Sequence, residues 1–170
     1  LVPGSDPGDG RRWFSVDACV RQSRARALEL MALALPGTAY VREGDETGLT
    51  DAEKPVDAGE LARLVVERAA QQGHEEHSPT ANFRHAVRLR RELRLPSAPL
   101  AFVEGLDWCP ASVLTFLSRS VLVLVNTGDT PVALPVGAEV LISSAVLHRD
   151  GGHRMVPPGV GAWIEAGSVS

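Results

Sequence analysis

The sequence predicts an α+β chain in which a helical segment carrying one short strand precedes an antiparallel β-sandwich. Three observations predict it. Apolar residues recur at 3- and 4-residue steps up to Arg94. From Leu100 onward they fall instead into short runs separated by turn residues. Pro96 and Pro99 stand between the two patterns and break the chain there. The expected division is a tail or linker remnant over 1–14, an α-rich segment over 15–95 and a β-domain over 96–170.

The first helix is expected to start at Ser15, a competent N-cap, with Asp17 in the positive first turn. Val16, Cys19, Val20, Ser23, Ala27, Leu30, Met31 and Ala34 mark one buried stripe, and Leu28, Ala32 and Leu35 widen it. Pro36-Gly37 ends the helix. Thr38-Ala39-Tyr40-Val41 is β-prone and leads into the polar loop from Glu43 to Gly48. Helix, tight break, strand and glycine loop together make one repeat of an α/β barrel or a doubly wound sheet. A second helix spans 58–72, ended by Gly73, and a third starts at Ser78-Pro79 as cap and first-turn proline. Strands follow at 100–104, 112–118, 120–126, 132–134, 139–143 and 160–165. The Val121-to-Val125 run is apolar on both faces, as a central strand requires. The segment 132–134, fenced by Pro131 and Pro135, fits an edge strand.

Composition narrows the function classes. Apolar residues make up 44% of the 170, enough to form a core, and the net charge of -4 opposes nucleic-acid binding, which needs a basic face. No run is long enough to span a membrane. Cys19 and Cys109 lie far apart with no CxxC spacing, so idle thiols in a reducing cytoplasm are expected rather than a disulfide framework. The chain begins with Leu, and Leu1-Val2-Pro3-Gly4-Ser5 has the look of a protease-site linker, which implies that something upstream has been removed.

Leu35-Pro36-Gly37-Thr38-Ala39-Tyr40-Val41, continued by Arg42-Glu43-Gly44-Asp45-Glu46-Thr47-Gly48-Leu49, resembles the last barrel strand of the α-amylase superfamily (glycoside hydrolase family 13). More narrowly it resembles bacterial α-glucosidases. The helix through Arg24-Ala25-Arg26-Ala27-Leu28-Glu29-Leu30-Met31 is similar to the one those enzymes place before that strand. Phe83-Arg84-His85-Ala86-Val87-Arg88-Leu89-Arg90-Arg91-Glu92 resembles their last barrel helix. Val121-to-Asn126 with Pro131-Val132, and Pro157-Pro158-Gly159 with Ala162-Trp163, look like their C-terminal β-domain. The pieces occur in family order over most of 24–165.

The resemblance implies the end of a TIM barrel plus its C-terminal domain, and a parent activity of hydrolysing terminal α-glucosidic bonds in maltose-type sugars. The family's nucleophilic Asp, acid/base Glu and stabilising Asp sit on earlier strands, and their motifs are absent from this chain. Arg42 stands where the family favours Tyr, Glu43 where it favours Gln and Asp45 where Glu is common, while Glu46 and Gly48 fit. The expectation is therefore a non-catalytic portion, inactive alone, with no cofactor. Its partner would be the missing N-terminal barrel portion or another chain, and α-glucoside oligosaccharides would bind only in that context. The alternative is a sugar-binding or protein-interaction module derived from such an enzyme.

A lone barrel strand cannot satisfy its edges, so residues 40–42 are expected to pair with another chain or to lose strand character. Retaining glycosidases need two carboxyls about 5–5.5 Å apart, one protonated and one ionised. Glu43, Asp45 and Glu46 are the one carboxylate cluster on a strand-to-helix loop, and they are candidates for a substrate rim. A solvated acidic loop is the plainer reading. His74-Glu75-Glu76-His77 spaces its histidines three apart after a glycine, which suits a hydrated loop better than a metal site. Ser112, Ser118 and Ser120 lack a nucleophile elbow. Of Trp13, Trp108 and Trp163, Trp163 reads as core. Trp108 is the candidate for stacking on a sugar, set against a role as a lid on the β-domain core.

Overall fold

A computed structural model describes residues 10–169 apart from 74 and 76, with side chains from Cys19 onward. Three helices, α1 (Gly10–Ala34), α2 (Ala58–Gln72) and α3 (Pro79–Glu92), precede eight strands. These are β1 (Leu100–Phe102), β2 (Val113–Ser118), β3 (Val121–Asn126), β4 (Val132–Ala133), β5 (Val140–Ser143), β6 (His148–Asp150), β7 (His153–Val156) and β8 (Gly161–Glu165). The strands form a five-stranded sheet, ordered β1-β2-β3-β8-β5, and a three-stranded sheet, ordered β4-β7-β6. All pairings are antiparallel.

The result is three layers. Alternation along β3 sends Val121 and Val123 toward the helices, where they meet Leu30, Leu33 and Ala34 of α1 and Ala86 of α3. Leu122 and Leu124 point the other way, against Val132, Leu134 and Val156 of the smaller sheet. The predicted central strand is thus central, between β2 and β8. The predicted edge strand, β4, lies at the edge of the smaller sheet. The hairpin β6–β7 turns at Gly151-Gly152, where the sequence Asp150-Gly151-Gly152 between His148 and His153 reads as a β-turn between strands.

α1 ends before Pro36-Gly37 as expected, but differs from its expected course at its start and in its buried stripe. It starts at Gly10, so Ser15 lies inside the helix rather than at its cap. No proline stands between Gly10 and Ser15 to stop the helix extending. Its buried stripe is confined to Ala27, Leu30, Leu33 and Ala34, while Cys19 and Val20 are exposed. β8 approaches the middle of the helix, and a Cβ on Gly161 would stand 3.3 Å from the Ala27 carbonyl oxygen. The side chains of Val16 and Trp13 lie outside the described residues.

The end of α1 is closed by side chains from elsewhere, which satisfies carbonyls that a helix terminus leaves unpaired. Arg90 of α3 is buried and donates to the carbonyls of Leu33, Leu35 and Gly37. Ser118 Oγ donates to Ala34 O at 2.9 Å, and Trp163 Nε1 donates to Leu30 O at 3.1 Å. A guanidinium at a helix C-terminus also meets the negative end of the macrodipole. On the opposite side of the sheet, buried Asn126 donates to Thr130 O and Val156 O, and its Oδ1 accepts from Gly128 N–H. It ties the end of β3 to the smaller sheet with every polar atom engaged.

Candidate functional site

The chain leaves one flank of α1 uncovered. After Pro36-Gly37 the segment 38–42 runs without a strand ladder among the described residues. Tyr40 is 92% exposed, and Leu28 and Val41 are exposed beside it. Together α1, this segment and the loop to Ala52 enclose an open groove of about 720 Å³.

The rim of the groove is a single 3-10 turn, Asp45–Thr47, bracketed by Gly44 at φ 95° and Gly48 at φ 71°. Glycine is suited to both left-handed positions. Thr47 Oγ1 donates to Gly44 O at 2.9 Å, and Glu46 Oε2 accepts the Gly44 N–H at 2.8 Å. Gln72 of α2 donates to Thr47 O at 3.0 Å and Gln22 of α1 to Gly48 O at 3.4 Å, fastening the turn to two helices.

The three rim candidates therefore have different fates. Glu43 is exposed. Asp45 is held by Lys54 Nζ at 2.6 Å and Arg42 Nε at 3.3 Å. Burial alone would raise its pKa, but the Lys54 and Arg42 cations bring it below the ordinary value. Glu46 is spent on the Gly44 amide. With Asp45 tied to two cations and Glu46 to a backbone amide, the turn does not present the paired free carboxyls that a retaining glycosidase needs.

The carboxyl that holds its proton more tightly than usual is Glu29 of α1. Burial first, then the negative charges of Asp45 and Glu46, raise its pKa from 4.5 to about 7 against the pull of Arg26 and Lys54. Its Oε1 and the Nε of Arg26 are enclosed without hydrogen-bond partners. An acid with this pKa suits proton transfer, and Glu29 is half-buried in the wall of the groove with its Oε1 enclosed. The sequence carries a signal for it: Leu28, Leu30, Met31, Ala32 and Leu33 surround Glu29 and leave it little polar surface.

Trp108 lies half-buried in the turn after Leu106, packed against the sandwich core. Its Nε1 is enclosed without a partner. The more exposed aromatic is Phe102, at 69%, which meets Phe116 edge-on at 6.3 Å and borders a cleft of about 590 Å³ with Glu104 and Thr127. His77 is exposed, whereas His74 and Glu76 lie outside the described residues. Among the described residues no three His, Cys, Asp or Glu side chains form a group suited to a metal. His85 is half-buried on α3, where burial and then Arg88 hold its pKa down. Both cysteines are free, and burial pushes the Cys109 thiol up. No described helix is long and apolar enough to cross a membrane.

No protein-family profile matches the chain, and no curated protein sequence does. Solved structures do. The trehalulose synthase MutB, in crystals containing glucose or sucrose, superposes with TM-scores of 0.58 at 18% identity over 84% of this chain and 38% of its own. The α-amylase from H. orenii matches with a TM-score of 0.56 at 15% identity, covering 85% of this chain and 35% of its own. Trehalose-6-phosphate hydrolase from Bacillus licheniformis gives 0.56 at 16%, covering 85% and 38%. The α+β fold is therefore that of a part of glycoside hydrolase family 13 enzymes. The chain spans less than two fifths of the length of the structures it matches.

Proposed function

We propose that this chain is the non-catalytic C-terminal portion of an α-glucosidase-like glycoside hydrolase, inactive alone, whose open groove seats the preceding barrel portion. The observation that carries this reading is the unpaired segment 38–42. A nearly fully exposed tyrosine and an apolar helix flank lie there beside backbone that has no ladder. Polar groups of extended backbone are satisfied by neighbouring strands, and such strands would also cover Leu28 and Val41. The helical layer and the sandwich act as scaffold, covering one end of the barrel. In the assembled enzyme the loop from Glu43 to Glu46 would stand at the rim of the pocket that admits maltose-type oligosaccharides. The free thiols agree with a cytoplasmic setting.

An α-glucosidase assay on the purified chain tests the proposal. No turnover of maltose-type substrates is expected; turnover abolished by Glu43→Gln would contradict it. Titrating maltose against tryptophan fluorescence separates it from a sugar-binding module, since saturable binding lost in Trp108→Ala would favour the module.

A further inference from the structure

The helical layer stops short of one corner of the larger sheet. α1 runs along β8, where a Cβ on Gly161 would meet Ala27 and where Trp163 Nε1 donates to Leu30 O, and it ends over Ser118 of β2. α3 lies beyond it, against β5. Among the described residues no helix covers β1 and β2 at Phe102 and Leu114. The register shows which side chains this leaves bare. Phe102 stands opposite Phe116 and meets it edge-on, and Phe116 belongs to the core beneath the helices. Leu100 lies two residues from Phe102, and Leu114 two from Phe116, so both share that face. Leu100, Phe102 and Leu114 are all exposed.

α1 walls the corner on one side. Its Arg26, Glu29, Leu30 and Leu33 border the cavity shared with α3. At about 100° per residue, Val20, Arg24 and Leu28 fall on the opposite flank, and all three are exposed. The space that remains is one helix wide. β1 stands two strand spacings, about 9.6 Å, from β3, and packed helices stand about 8–10 Å apart. A helix laid over β1 and β2 would therefore touch α1 and the sheet at once, as α3 does on the other side. A strand added at the edge of β1 would only prolong the sheet and leave this face bare.

We infer that this trough seats one further helix, amphipathic and running beside α1, whose apolar stripe covers Phe102, Leu114 and Leu28. The helix would come from the preceding barrel portion, and in naming that source the inference rests on the function proposed above. More than three fifths of each matched solved structure lies outside the match, ample chain to supply a helix. The trough is a second contact for that portion, on the sheet side of α1. Leu28 is the residue it shares with the groove along 38–52.

The test uses the whole chain and a peptide probe of about 18 residues, above the length at which isolated helices are marginal. The probe carries leucines along one stripe of the helix and Glu and Lys elsewhere. A control peptide of the same composition scatters its leucines around the helix. Methyl and ring NMR signals are followed as each peptide is added. Saturable shifts at Phe102 and Leu114 are expected, with the amphipathic peptide binding at least about tenfold tighter than the control. Phe102→Asp combined with Leu114→Asp should weaken that binding about tenfold or more. Both side chains are exposed, so the amides of β3 should keep their exchange protection and verify the fold. Should the double variant not fold, Leu28→Asp from the α1 wall replaces it. Shifts centred on Tyr40 and Val41, equal binding of the two peptides, or no binding would overturn the inference. Reconstitution with a barrel portion keeps the two proposals apart. Association lost in Tyr40→Asp with Val41→Asp but indifferent to Phe102→Asp with Leu114→Asp strikes the trough and leaves the proposed function standing. Peptide binding in the trough without any association of a barrel portion does the reverse.

Discussion

The two flanks of α1 contrast. Where the helix meets the sheet and α3, the chain completes itself: Arg90, Ser118 and Trp163 reach the terminal carbonyls, and Gly161 lets β8 press against the helix. Where the helix meets the segment 38–52, apolar side chains stay exposed, backbone lacks a ladder and a carboxyl is enclosed without a partner. A terminus wholly dressed by its own chain marks structure meant to stand alone. On the function proposed above, a flank this incomplete is the surface that the preceding barrel portion covers.

If the closed flank carries the stability, the largest loss falls on Arg90. Arg90→Met removes three charge-assisted hydrogen bonds and leaves the buried Leu33 carbonyl and the part-buried Leu35 and Gly37 carbonyls without their donor, so urea denaturation should show a loss of about 3 to 4 kcal/mol. Leu124→Ala, at the centre of the sandwich core, should cost about 3 kcal/mol in the same measurement.

Smaller effects are expected on the open flank, and one is favourable. The pKa of Glu29 is raised on folding, so ionisation penalises the folded state as pH climbs from 4.5 toward about 7, and stability is greatest below that window. Glu29→Gln should therefore raise Tm above about pH 7, by the equivalent of about 1 kcal/mol once partial solvent contact is allowed for, and have little effect near pH 4.5. Least affected is Tyr40→Ser, whose stability should change by no more than about 0.5 kcal/mol because the ring touches so little. A Tyr40→Ser loss as large as that of Leu124→Ala would erase the contrast between the flanks.

Much of the closed flank is legible in the sequence because it obeys periodicity. The α2 bounds, the Ser78-Pro79 start of α3 and the central place of β3 follow from caps and alternation. Even Arg90 has a signal, since Phe83, Ala86, Val87 and Arg90 follow 3- and 4-residue steps on one face. What periodicity does not carry is partnership across the chain. The apolar face separates Arg90 from Arg88 and Arg91, but nothing local says that it reaches three carbonyls. The start of α1 is hidden because Ser15 suits a cap equally well whether or not the helix continues upstream. At the candidate site, glycines and carboxylates reveal the loop from Glu43 to Gly48, but the pairing of Asp45 with Lys54 depends on a fold that composition does not encode. Glu29 stands out in the sequence as a lone acid in an apolar run, but the charges of Asp45 and Glu46 that help raise its pKa are brought near it only by the fold.

The most direct measurement is reconstitution with a polypeptide that supplies the remaining barrel portion of such an enzyme, co-expressed with this chain and assayed on maltose. A stable complex that turns over substrate is predicted, with both complex and turnover lost in Tyr40→Asp combined with Val41→Asp. Turnover by this chain alone, or a complex indifferent to those two substitutions, would contradict the claim that the flank along 38–52 is where the rest of an enzyme belongs.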